Sequence, residues 1–152
     1  MTIPFRPRWY FFMALVSVTF IGPLSLHLFI PAMSAVKEAF GISTGMAQLT
    51  MSLAMLSMAF FTVAYGGLSD RFGRKRVLLG GLVLFTCGAA SCMAATNLPM
   101  LLAGRILQGA GAGCGVVLAR AIARDVYGQD RVAQVIAYLT AAYVLGPMFA
   151  PP

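Results

Sequence analysis

The sequence predicts an all-α integral membrane protein, a bundle of about five transmembrane helices with its N-terminus in the cytoplasm. Three observations carry that prediction. The chain of 152 residues is 60% hydrophobic and only 10% charged, where a soluble domain carries about 25% charged residues. Its apolar residues are gathered into long blocks instead of alternating with polar ones. Its Lys and Arg residues fall almost wholly on one side of those blocks.

The blocks come in order. Residues 9–31, 46–68, 77–95 and 132–152 contain no Asp, Glu, Lys or Arg, and 99–119 contains one charge, Arg105. A bilayer core about 30 Å thick is crossed by roughly 20 helical residues, so each block is a span. With a cytoplasmic N-terminus, Arg6, Arg8, Arg71, Arg74, Lys75, Arg76, Arg120, Arg124 and Arg131 lie inside, and only Lys37 lies outside. Excess Lys and Arg in short cytoplasmic loops sets orientation. The net charge of +7 is thereby assigned to topology and not to nucleic-acid binding. A cleaved signal peptide does not fit either, because the first apolar run is about twice the length of a 7–15-residue signal core and further spans follow.

The connections are short. Residues 32–45 are expected outside, 69–76 inside, 96–98 outside, and 120–131 inside as a polar continuation of span 4. Cys87, Cys92 and Cys114 fall within spans, match no metal spacing and read as small packing residues. No metal site, cofactor motif or nucleophile–base pair is present, so no enzyme is expected. The chain closes on "GPMFAPP" inside span 5 without a polar tail, and five is an odd number of spans. The expectation is a chain truncated in span 5, part of an N-terminal transmembrane domain over residues 1–152.

One turn concentrates charge. Asp70, Arg71, Arg74, Lys75 and Arg76 fall within seven consecutive positions between spans 2 and 3. A positive anchor accounts for the basic residues. It does not account for Asp70 at the membrane edge, or for Gly66 and Gly73 at fixed offsets. Glycine permits tight backbone geometry, and an acid near a helix N-terminus is favoured by the dipole, so the pattern reads as a specific docking turn.

The stretch Gly66-x-Leu68-x-Asp70-Arg71-x-Gly73-Arg74-Lys75 resembles the cytoplasmic signature of the major facilitator superfamily at every position. Two more stretches follow in order. "LLAGRILQGAGAG" in span 4 is similar to the family's R-x-x-Q-G signature, here Arg105, Gln108 and Gly109. "LGPMFAPP" in span 5 resembles the antiporter signature, with Gly146 and Pro147 as its core. "LHLFIPAM" in span 1 looks like the Bcr/CflA-type drug-efflux branch. The resemblance implies the N-terminal helical bundle of a major facilitator fold in a bacterial inner membrane, with a C-terminal half outside this chain. It also implies a gate: Asp70 capping a helix of the second half, Arg74 pairing with Asp125 in "ARDVY", and Gly146-Pro147 kinking span 5.

Polar residues inside the spans point to a cavity. Arg105 lies about six residues, or roughly 9–10 Å, into span 4. A charge at depth costs about 2.5–3.5 kcal/mol on insertion scales and usually faces the bundle interior. Pro31 and Pro23 leave the carbonyls of His27 and Thr19 without helical donors, and the guanidinium of Arg105 could satisfy one of them, which would pack it against span 1. His27 stands where many relatives in this branch carry an aspartate. With no acid inside any span, His27 is a candidate proton carrier; a polar cavity residue or an outer-edge histidine are the other readings. Gly109/Gly113 and Gly111/Gly115 form small-xxx-small pairs suited to helix packing. Some of the ten Met and eleven Phe residues could line an adaptable cavity.

The function these readings imply is export of lipophilic small molecules in exchange for protons by alternating access, with the bilayer, the substrate and protons as partners. The alternatives are uptake of a metabolite by another member of the family, or a non-transporting remnant of a disrupted transporter gene.

Overall fold

The computed structural model describes residues 9–145, which contain helices and no strand. Four helices follow in order: α1 (Trp9–Phe40), α2 (Thr44–Phe72), α3 (Arg74–Met93) and α4 (Leu98–Leu145). All four contain a stretch long and apolar enough to cross a membrane, and in α4 that stretch is Leu98–Gly128. The chain is thus a multi-pass, all-α membrane bundle.

Helix ends are set by local chemistry more than by the apolar blocks. Beyond Pro31, "AMSAVKEAF" is rich in good helix formers, so α1 continues to Phe40 and the outer connection shrinks from the expected 32–45 to residues 41–43. The stop is Gly41, at φ +59°. Its N–H donates to Glu38 O (3.3 Å) and that of Ile42 to Lys37 O (3.1 Å), the paired bonds of a Schellman cap. Ser43 then caps α2, accepting from Met46 N at 3.3 Å. Asn97 caps α4 in the same way, accepting from Met100 N at 2.9 Å, and Pro99 is tolerated because it falls in the first turn.

Gly73 alone turns the chain between α2 and α3. At φ +88° and ψ +140° it occupies backbone space that a Cβ makes costly. Its N–H donates to Ser69 O and its carbonyl accepts from Val77 N, so one residue closes one helix and opens the next.

Gly128 breaks α4. Its φ of +67° and ψ of −180° lie outside helical geometry. If α4 were straight, Ala119 and Leu139 would stand about 30 Å apart. Instead Leu15, Ala119, Ala123, Val135 and Leu139 share one buried cluster. The arm after Gly128 therefore folds back onto α1 and the first arm of α4.

The first arm is the central column, touching α1, α2 and α3. It does so by being thin. A Cβ on Gly109 would strike the backbone of Ala54, and one on Gly113 would come within 2.9 Å of Met58 O, both on α2. Gly111 meets the backbone of Phe85 on α3, whereas Gly115 meets Val18 O on α1. Gly109/Gly113 is thus one seam, but Gly111/Gly115 serves two different neighbours. Hydroxyls in the apolar interior are satisfied locally: Thr19 donates to Leu15 O (2.8 Å) and Thr50 to Ala47 O (2.6 Å). Ser57 instead crosses to α4, donating to Ile106 O at 2.7 Å.

Gly88 and Gly80, both on α3, give a matched test of this packing. A Cβ on Gly88 would overlap the backbone of Gln108, whereas one on Gly80 meets nothing within 4 Å. Gly88→Ala should lower the unfolding free energy in detergent by about 1–3 kcal/mol through overpacking. Gly80→Ala should leave it unchanged or raise it by up to about 1 kcal/mol through helix propensity.

Candidate functional site

Two constellations are mounted on α4. The inner one surrounds Arg74, the first residue of α3. Its Nη1 lies 2.8 Å from Asp70 Oδ1 on the last turn of α2, and its Nε lies 3.0 Å from Asp125 Oδ2 on α4. Nη1 also donates to Ser69 Oγ. One guanidinium therefore ties α2, α3 and α4 together where α2 ends and α3 begins. Asp70, whose carboxylate the resemblance assigns to a helix of a second half, is held here on Arg74.

The reach of Arg74 depends on Gly73, because a one-residue turn brings the start of α3 beside the end of α2. The remaining members of the turn are placed differently. Arg71 lies with its guanidinium carbon 5.4 Å from the ring centre of Phe72. Lys75 is exposed and has no ion-pair partner among the described residues. Gly66 is helical, its carbonyl accepts from Ser69 Oγ at 2.9 Å, and a Cβ there would meet nothing within 4 Å.

The second constellation lies deeper, about 10 Å from the start of α4. Arg105 Nη1 donates to Gln108 Oε1 at 2.8 Å, one helical turn on. Gln108 Nε2 donates in turn to Ser25 Oγ of α1 at 2.9 Å. The guanidinium carbon of Arg105 sits 3.6 Å from the centre of the Phe29 ring, a cation–π contact. Arg105 Nε is buried without a hydrogen-bond partner. These groups line a cavity of about 440 Å³ between α1, α3 and α4, otherwise walled by Leu24, Leu28, Phe85 and similar apolar side chains.

Arg105 does pack against α1, but through the face of Phe29. Its hydrogen bond goes to Gln108 and not to the carbonyls left free by Pro23 and Pro31. The ring supplies electrostatic attraction without needing α1 to unwind, and Gln108 lies closer on the same helix face. Ser25 and Phe29 were not singled out by sequence. Their i, i+4 spacing marks one face of α1, but which face meets α4 is decided by long-range packing. His27 is exposed and does not line this cavity. At 100° per residue it points about 200° away from Ser25. Gly146 and Pro147 lie outside the described residues.

A family model described as Major Facilitator Superfamily matches residues 15–152. An uncharacterized MFS-type transporter of Bacillus subtilis, YdgK, is 30% identical over 131 residues, covering 86% of this chain and 33% of the relative. Multidrug resistance protein D of Escherichia coli is 28% identical over 137 residues, covering 90% of this chain and 35% of the relative. Multidrug resistance protein MdtL of Escherichia coli is 30% identical over 135 residues, covering 89% and 34%. The chain spans about a third of the length of these curated relatives.

The inner ion pairs are partly wet, with Arg74, Asp70 and Asp125 side chains 30%, 68% and 52% exposed. Exposed pairs of this kind contribute about 0.2–1 kcal/mol. In a double-mutant cycle, Arg74→Gln and Asp125→Asn should be non-additive by about that amount in unfolding free energy. The coupling should shrink as salt is raised from about 0.05 to 0.5 M, because screening shortens the reach of exposed charges.

Proposed function

The chain belongs to the major facilitator superfamily, and on that premise we propose that it supplies part of an exporter of small lipophilic molecules. In this reading the exporter works in a bacterial inner membrane, against protons and by alternating access. The observation that carries the reading is the cavity at Arg105. A guanidinium held at depth between Gln108 and Phe29 has a cost that a surface anchor would avoid, and an apolar cavity with a few oriented polar groups is the usual form of a small-molecule site. Two of the relatives are named as multidrug resistance proteins, which favours drug-like substrates.

The Asp70–Arg74–Asp125 cluster supports the second element of the proposal, a cytoplasmic latch. Ion pairs of about 0–1 kcal/mol each are too weak to fix one conformation and strong enough to bias two nearly balanced ones. Gly66, Arg71, Gly73 and Lys75 belong to the same stretch of sequence, and Gly146-Pro147 is assigned to a kink in span 5. Alternating access then moves this bundle against a second half around a midplane site. Among the described residues no Asp or Glu lies within an apolar block, so the proton is assigned to His27, the chain's one histidine, which stands apart from the cavity.

Cells expressing the native gene should deplete a preloaded fluorescent lipophile faster than cells lacking it. Net accumulation would instead favour metabolite uptake. In everted membrane vesicles from the same cells, adding the lipophile should drive proton movement. Asp70→Asn should cut transport at least tenfold while membrane insertion stays normal. His27→Ala should remove substrate-driven proton movement; full flux in that variant would take the proton role from His27.

A further inference from the structure

The polar wall of the Arg105 cavity has a definite sign. A guanidinium carries five N–H donors, and among the described residues one of them is matched, on Gln108 Oε1. Gln108 is itself committed, accepting from Arg105 and donating to Ser25 Oγ. Ser25 accepts that bond and has no acceptor of its own among the described residues, so its hydroxyl hydrogen is free to donate. What the cavity offers a ligand is therefore N–H and O–H donors around one positive charge.

Among the described residues that charge has no counter-ion. Of the described acids, Glu38 closes α1 at its outer end, while Asp70 and Asp125 are engaged by Arg74 at the inner end. Phe29 stabilises one face of the guanidinium, but a ring quadrupole does not neutralise a charge. In surroundings walled by Leu24, Leu28, Phe29 and Phe85 the field of Arg105 is weakly screened. A lipophilic cation entering there meets like charge, with no acid among the described residues to offset it. An anion completes an ion pair and takes up the spare donors.

We propose that this cavity binds lipophilic anions, molecules whose apolar body fills the Leu- and Phe-lined volume and whose carboxylate sits on Arg105 and Ser25. The inference rests on the reading of this cavity as the transport site, and narrows its substrates to lipophilic weak acids over lipophilic cations. Phe29 and Gln108 act as positioning residues that hold the guanidinium flat and aimed. The same acceptor chemistry could be offered by the phosphate of a membrane lipid, and the test separates the two sources.

The protein expressed from its native gene would be reconstituted in phosphatidylcholine nanodiscs and titrated with dansyl-undecanoate, with the chain-matched dansyl-undecylammonium and with the neutral amide. The carboxylate should bind saturably and at least tenfold more tightly than either analogue. Arg105→Gln should remove that preference, Arg105→Lys should weaken it while keeping its sign, and Lys37→Gln, on the exposed outer end of α1, should leave it unchanged. Repeating the titration with phosphatidylglycerol in the discs distinguishes the sources. Unaltered carboxylate affinity supports a soluble lipophilic acid as occupant, whereas competitive loss of binding means that a lipid phosphate takes the site and overturns the proposal of a soluble acid. Equal binding of carboxylate and ammonium, or a preference that survives Arg105→Gln, overturns the proposal outright. Should Arg105→Gln fail to fold, Ser25→Ala and Arg105→Lys still decide it, since neither removes the charge and both must lower carboxylate affinity. Carboxylate binding without any effect of the native gene on efflux would leave the inference standing and remove the export reading.

Discussion

A helix that touches three others within a bilayer must be thin on three sides, and the first arm of α4 is. Lipid tails are as apolar as leucine, so helix association there depends on close packing instead of on the exclusion of water. Gly109 and Gly113 admit the backbone of α2, Gly111 admits α3, and Gly115 admits α1. Both candidate sites inherit their geometry from this column. Asp125 reaches Arg74 because α3 lies close against α4. Gln108 reaches Ser25 because α1 does.

The two constellations use the same side-chain chemistry in opposite settings. Arg74 sits at a wet edge with two carboxylates and a serine hydroxyl, so its charge is compensated and its bonds exchange readily with water. Arg105 sits at depth with an amide and an aromatic face, and with no acid among the described residues. The first arrangement suits a contact that forms and breaks during a conformational cycle; the second suits a fixed charge waiting for a partner. Both arrangements draw on α4, the first through Asp125 and the second through Arg105 and Gln108.

Legibility from sequence followed the range of the interactions. The ion pairs of Arg74 could be read because their parts are set by short spacings: Asp70 and Arg74 flank a glycine whose φ of +88° demands that residue, and Asp125 follows from the family resemblance. The Arg105–Gln108 pair could be read as i, i+3 on one helix. Ser25 and Phe29 could not, because their role depends on which face of α1 docks against α4, and that docking involves Gly115, which admits Val18 O, many residues away. His27 drew attention by residue type, while its register turns it away from the cavity. The extent of α1 was underestimated because an apolar block measures bilayer thickness, whereas the helix itself ends only where Gly41 can reverse the chain.

The cavity depends on Arg105 being held against the Phe29 ring with no acid beside it among the described residues. Nuclear magnetic resonance of the arginine side chains, labelled with nitrogen-15 in detergent micelles, reads that contact directly. Protons of a guanidinium stacked 3.6 Å above a ring centre are shifted upfield by the ring current. The structure predicts one such outlying arginine signal, absent in Arg105→Gln and returned to the common position in Phe29→Leu. Arginine side-chain signals that all fall at the common position in the unmodified protein would contradict it.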